Sequence, residues 1–246
     1  MAADPRVTAS SKSPKTRSME ETVIVFSIGP LGITRTVVTT WGILIAIWLL
    51  CGLLRRRLQK NPGLVQTLIE GIVLTQEKAI AQVVPGEEHR LLPFIGGLWI
   101  FLVLANLLGV VPGLASPTAD LSATVALAIL VFLSTHWFGI RSQGLSSYLA
   151  HYLRPSPILL PFHLMGEITR IIALAVRLFG NMMSLEMAAL LILLVAGFLV
   201  PIPILALHII EALVQAYIFG MLALFYVAGG IQSQQLKRLE KQETKE

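Results

Sequence analysis

The sequence predicts an all-α polytopic membrane protein: three upright spans, an amphipathic surface helix and a long tilted antiparallel helical hairpin. Three observations carry this expectation. Of 246 residues, 55% are apolar and only 13% are charged, about half the charged share of an ordinary soluble domain. Mean hydropathy is +0.76. The charges also thin out sharply along the chain. Between residues 91 and 231 only eight remain (Asp120, Arg141, Arg154, Glu167, Arg170, Arg177, Glu186 and Glu211), and no Lys falls between Lys78 and Lys237. An ionised group at mid-bilayer costs roughly 3 kcal/mol on insertion scales, so those that persist need a reason. This composition excludes a disordered chain, a fibrous one and a typical cytosolic enzyme. The net charge of +5 gathers mostly at the chain ends and beside the first span, which suits anionic lipid headgroups. No aromatic-interleaved basic patch supports nucleic acid as a partner. The single Cys51 forms no internal disulfide, and no Cys/His spacing makes a zinc site.

The elements follow in order. Residues 1–35 read as a polar tail and a short extracytoplasmic segment. The tail lacks a short apolar core followed by a small-residue cleavage site, so it does not read as a removed signal peptide. Residues 22–32 are moderately apolar and fit either a strand or a surface segment. Residues 37–54 form the first span, with Trp41 and Trp48 as interfacial residues. Arg55, Arg56 and Arg57 follow and place its C-terminal end in the cytoplasm, while the basic tail at residues 6–17 argues the other way. Residues 62–84 mix apolar positions with Gln66, Glu70, Gln76, Glu77, Lys78 and Gln82, the pattern of an amphipathic helix on the cytoplasmic surface, which Pro85-Gly86 ends. Residues 91–111 return outward, 112–118 (PGLASPT) turn, and Asp120 opens a third span reaching about Ile140. Arg141 marks its cytoplasmic end. A polar loop with a short surface helix is expected at 142–157, closing the block 36–157. The hairpin then occupies 158–231, with a break at 197–203, and a polar cytoplasmic tail runs from 232 to 246.

The hairpin carries the unusual charges. On a wheel of 100° per residue, Arg177 and Asn181 share a face. Glu186 lies nine residues on from Arg177, roughly 180° away and about 13 Å along the axis. Glu167 lies about 15 Å toward the opposite end. His208, Glu211 and Gln215 fall at i, i+3 and i+7 in one stripe, which Tyr226 rejoins. Antiparallel pairing then gathers Glu186, His208 and Glu211 on the outward side, with Asp120 in reach, and faces Arg177 with Gln215 near mid-depth. A carboxylate and an imidazole pass protons through wet space, with pKa values movable by burial and by each other. A guanidinium releases no proton at any relevant pH and stands as a fixed positive charge. The pattern is that of half an ion path with a barrier, and Glu167 serves a second path from the cytoplasm. The bland alternatives are helix glue for Asn181 and Gln215, an internal hydrogen-bonded group for Glu186, His208 and Glu211, and a structural ion pair for Arg177. Arg141, Arg154 and Arg170 read as snorkelling interfacial cations.

Four motifs resemble one family. AVRLFGNM at 175–182, with its RLFGN core, is similar to the signature of subunit a of the F-type ATP synthase membrane sector. PTADLSATVALA at 117–128 resembles the family's segment opening a membrane helix, PSPILLP at 155–161 its lead-in to the hairpin, and QAYIF at 215–219 its glutamine motif. The match covers roughly residues 60–230 in order. The resemblance implies that Arg177 is the essential arginine facing the rotating ring of c subunits, where it separates two half-channels and meets each c-subunit carboxylate. It implies that Glu186 and His208 are the acid/imidazole pair of the outward half-channel. Asn181 and Gln215 match polar positions near the arginine, Asp120 an acid at the outward mouth and Glu167 an acid on the cytoplasmic side. Many members have Lys-Pro where Arg170 and Ile171 stand, and Glu211 is an additional acid beside His208.

The implied function is that of a stator ion channel, coupling ion flow through two offset half-channels to ATP synthesis or to ATP-driven pumping. The implied partners are the c-subunit ring, the b-subunit peripheral stalk and the remainder of the ATP synthase, in a bacterial inner membrane, with a thylakoid or other organellar membrane as the alternative. The coupling ion is the proton by default, with sodium open, and no cofactor or metal is expected. The chain has no phosphate-cradling loop such as GxxxxGK[ST], so nucleotide chemistry belongs to partner subunits. Two other classes stand beside this one. A secondary transporter would favour two similar halves with matching broken helices, and no such repeat is visible. A purely structural assembly subunit would use the buried charges as glue.

Overall fold

The computed structural model describes residues 24–28, 31–57, 63–111, 114, 116–144, 160–196 and 201–232. The chain divides into two compact units, residues 1–35 and 36–246. In the first, β1 (Ile24–Ile28) pairs antiparallel with β2 (Leu31–Thr34). Ile28 stands opposite Leu31 and Ser27 opposite Gly32, with an irregularity between Ile24 and Phe26. Of the two readings of residues 22–32, the strand is the one observed. The expected tail at 1–20, the surface helix within 142–157 and the polar tail beyond 232 lie outside the described residues.

The second unit is helical: α1 (Arg35–Arg57, whose first residue belongs to the first unit), α2 (Leu64–Val83), α3 (Glu88–Leu108), a 3-10 turn (Pro117–Ala119), α4 (Leu121–Gln143), α5 (Leu160–Ala196) and α6 (Pro201–Gln232). Five of these helices are long and apolar enough to cross a membrane, and α2 is the one that is not. The chain is therefore a multi-pass membrane protein, as its composition predicts. The boundaries carry local reasons. Asp120 caps α4, its Oδ1 accepting from the Ser122 backbone N–H at 2.9 Å, which satisfies one of the helix's free amides. Pro93 sits in the second turn of α3, where it removes one backbone hydrogen bond. The second hairpin helix starts at Pro201, inside the expected break. Proline is tolerated in a first turn because amides there have no helical partner.

The core is built by α3, α4, α5 and α6 packing on one another. Leu91, Ile95, Leu102, Leu178, Phe219 and Leu224 are fully buried. Ala105, Ala128, Ala175, Ala212, Ala216 and Ala223 are buried between the helices as well. Small residues of this kind let backbones approach where lipid supplies no hydrophobic drive for helix pairing. A tight fit joins α3 to α6 at Gly220. A Cβ at Gly220 would fall within the Trp99 indole, whose Nε1 donates to the Tyr217 carbonyl oxygen at 3.3 Å and whose ring stacks on Tyr217. The surface helix α2 packs on α3 through buried Ile80 and leaves Leu64, Leu68 and Ile72 exposed, the two-sided character read from its sequence. By contrast, α1 is almost wholly exposed, with Trp41 at 66% and Trp48 at 74%.

The hairpin helices have 37 and 32 residues, or about 55 and 48 Å at 1.5 Å per residue. Both exceed the roughly 30 Å that an upright crossing uses. Their register is fixed at two places. Asn181 bonds Gln215, and Arg170 lies over Tyr226. Eleven residues back along α5 thus correspond to eleven forward along α6, the signature of a regular antiparallel pair, with the two contacts about 16 Å apart.

Candidate functional site

Four polar groups occupy successive levels of this bundle. At one end, Asp120 joins helices. Its Oδ2 accepts from the Thr36 hydroxyl at 2.7 Å, and its Oδ1 accepts from the Ser122 hydroxyl at 2.8 Å. Burial disfavours its charge, but the bonds from Thr36 and Ser122 outweigh that and hold the carboxyl below the usual carboxylate range. Asp120 is therefore ionised at neutral pH. Beside it a cavity of about 350 Å³ opens between α1, α3 and α4, with Thr36, Thr40, Thr118 and Ser122 supplying hydroxyls to an otherwise apolar wall.

Thr118 connects that cavity to the interior. Its hydroxyl donates to Asn106 Oδ1 at 2.7 Å, and Asn106 Nδ2 donates to the Ala212 carbonyl oxygen on α6 at 3.1 Å. Ser116 Oγ donates to the Ala105 carbonyl oxygen at 2.9 Å, accepts from the Thr118 backbone N–H at 3.3 Å and lies 2.6 Å from the Thr118 hydroxyl oxygen. All three side chains are buried. His208 lies against the same junction. A Cβ at Gly109 would meet Ser116 at 3.1 Å and the His208 ring at 3.4 Å, so the bare glycine is what lets them approach. His208 is 2% exposed, and its Nε2 has no hydrogen-bond partner among the described residues. Glu211, one turn along, is half-buried. The hairpin register puts Glu186, also half-buried, level with the stretch between His208 and Glu211.

Deeper in the hairpin, Asn181 Nδ2 donates to Gln215 Oε1 at 2.7 Å. Gln215 is 1% exposed, and its Nε2 is the other buried polar atom without a partner among the described residues. Arg177 stands one turn from Asn181 on the same helix and is exposed. The expectation that Arg177 faces Gln215 is not what the bonding shows: the Gln215 amide oxygen accepts from Asn181, and Arg177 is exposed. No ion pair joins Arg177 to a described residue, as the wheel anticipates by putting neither Glu167 nor Glu186 on its face.

At the far end Glu167 Oε1 pairs with Arg170 Nη1 at 3.3 Å. The Arg170 guanidinium carbon lies 5.5 Å from the Tyr226 ring centroid, within cation–π range. Arg170 is thus held by two partners rather than only snorkelling, and Tyr226 faces α5 as Gln215 of the same stripe does. Arg170 and Tyr226 line a crevice of about 10 Å³ with Glu167, Thr135 and Leu174.

The sequence from 37 to 228 matches the ATP synthase A chain family. The chain belongs to that family. Family relatives cover nearly all of it. ATP synthase subunit a 2 of Pelobacter propionicus is 60% identical over 225 residues, covering 92% of this chain and 99% of the relative. ATP synthase subunit a 1 of Hahella chejuensis is 63% identical over 211 residues (86% and 90%). ATP synthase subunit a of Legionella pneumophila is 56% identical over 219 residues (86% and 93%).

Within this A chain, sequence reasoning missed Asn106, Ser116 and Thr118. Asn106 left a usable signal, an amide alone in an apolar run, which is costly unless paired. Ser116 and Thr118 were hidden inside a segment that reads as an ordinary turn.

Proposed function

We propose that this A chain is the stator ion-channel subunit of an F-type ATP synthase, working with the other subunits of that complex in a bacterial inner membrane. The single observation that carries the mechanism is the placement of Arg177: a permanent cation on an exposed face of a membrane helix, unpaired among the described residues, between a polar group at either end. A charge so placed in lipid is expensive unless something polar comes to meet it. The carboxylate of a rotating c subunit is a partner of the right charge.

The Asp120 end serves as the outward path. The hydroxyl-lined cavity admits water, and the ionised Asp120 draws cations toward it. The route then runs past Thr118 and Asn106 to His208, Glu186 and Glu211. The unpaired Nε2 atoms of His208 and Gln215 support this path. A buried polar atom left without a partner costs about 1–3 kcal/mol, and a water or a passing proton relieves that cost. A proton delivered there neutralises the c-subunit carboxylate, which removes most of the penalty for turning it into lipid. After nearly a full rotation the site discharges toward Glu167 and the cytoplasm. Arg177 repels cations from the direct route and favours the empty, ionised carboxylate. The b-subunit stalk holds this chain still against the rotor. Each charge crossing 100 mV supplies about 2.3 kcal/mol, so several are needed per ATP.

The test replaces Arg177 by Ala in the reconstituted complex. Coupled ATP synthesis is expected to vanish while the complex still assembles. Synthesis at the unmodified rate would reject the proposal.

A further inference from the structure

Arg170 stands seven residues before Arg177, which is nearly two full helical turns and about 10 Å along the same face. An ion discharged toward Glu167 therefore passes a second guanidinium. That guanidinium is held on both sides, by the Glu167 carboxylate at 3.3 Å and by the face of Tyr226 at 5.5 Å. The Glu167 contact lies within α5 and aims the guanidinium, and the Tyr226 contact crosses to α6. The crevice they border, about 10 Å³, has room for roughly one water molecule. Of the two ion-paired side chains, that of Arg170 is the more open to its surroundings, 56% exposed against 18% for Glu167. The remaining wall is packed, with Val131 and Leu174 buried.

We propose that Arg170, clasped between Glu167 and Tyr226, sets the width of the inward ion path, resting on the two-path reading above. Docked, the guanidinium cancels the charge of Glu167 and leaves a passage one water wide. Swung out toward solvent, it widens the crevice and frees the carboxylate to accept an ion. Arg170 is thus a positioning residue that acts through Glu167, and the ring face of Tyr226, not its hydroxyl, is the latch.

The experiment reads the width of the crevice in the intact complex. Cys51, exposed on α1, is replaced by Ser, and Ile171, which lines the crevice, by Cys. The rate of thiol modification is then followed with a membrane-impermeant methanethiosulfonate reagent applied from the cytoplasmic face. Tyr226→Leu removes the ring and is expected to speed modification at least tenfold, whereas Tyr226→Phe keeps the ring and leaves the rate within twofold. Arg170→Gln, which does not disturb α6, is expected to match Tyr226→Leu. Equal rates across the four proteins overturn the clasp, as does acceleration in Tyr226→Phe alone. Complex recovered from the membrane is quantified for each variant, so misassembly is seen directly. Failure of the two-path reading is separate. It shows as intact coupling in Arg177→Ala whatever the thiol rates.

Discussion

The hydrogen bond between Asn181 and Gln215 crosses the hairpin, and its loss has a calculable cost. Asn181→Leu leaves the Gln215 amide oxygen without its donor in a position that is 1% exposed, where the amide nitrogen is already unpaired. An orphaned buried acceptor costs about 1–3 kcal/mol, so local opening of the hairpin becomes roughly 5- to 150-fold more frequent. Gln215→Leu orphans Asn181 instead. Asn181 is only half-buried, so that change falls at the lower end of the range. The double substitution removes both polar groups and is nearly neutral in the same accounting, giving a coupling of about 1–2 kcal/mol. Hydrogen–deuterium exchange of the intact complex, read by mass spectrometry on peptides spanning 178–184 and 212–218, measures the opening directly. Fast exchange in each single variant and near-normal exchange in the double variant is the expected pattern. Additive acceleration would refute the idea that the two amides stabilise the hairpin through each other.

Two further outcomes follow from the packing and the cap. Gly220→Ala forces the Trp99 indole out of its slot and breaks its bond to the Tyr217 carbonyl. Overpacking costs about 1–3 kcal/mol, so less A chain is expected in the membrane by immunoblot, with recovery on adding Trp99→Ala. Asp120→Ala removes a cap worth about 1 kcal/mol, together with the tie to Thr36. Because the Asp120 carboxyl is held below its ordinary range, its stabilising contribution is complete above the unfolded-state pKa of about 4 and is lost as pH falls through the lower folded value. Thermal dissociation of the complex is therefore expected to differ between Asp120 and Asp120→Ala by a constant amount from pH 5 to 8, and the difference is expected to shrink only in stronger acid.

The helices were legible because a membrane imposes one rule, the hydropathic run, that needs no tertiary knowledge. The five crossings, the amphipathic helix and the Asp120 start of α4 all come from it. The helical wheel also separated Arg177 from Glu167 and Glu186, since that is geometry within one helix. What the wheel does not contain is the register between helices. It therefore faced Gln215 with Arg177, whereas the side chain that bonds it is Asn181, one turn away, and it named no partner for Tyr226, which lies under Arg170. The Trp99–Gly220 contact and the Ser116–Thr118–Asn106 cluster depend on how closely three separate elements approach, and spacing along the chain carries no trace of that. The start of α6 at Pro201 was hidden because proline signals a break and a first turn equally well.

On this reading Arg177 bars a direct leak between two water paths. The most direct measurement is passive proton conductance through the membrane sector in sealed vesicles stripped of the nucleotide-binding subunits, comparing the unmodified chain with Arg177→Ala and Arg177→Lys. A leak is expected in Arg177→Ala that persists when the rotor is immobilised, and a smaller leak in Arg177→Lys, whose ammonium keeps the charge without the planar fork. Conductance indistinguishable from the unmodified sector in Arg177→Ala, with the rotor present and the sector intact, would contradict it.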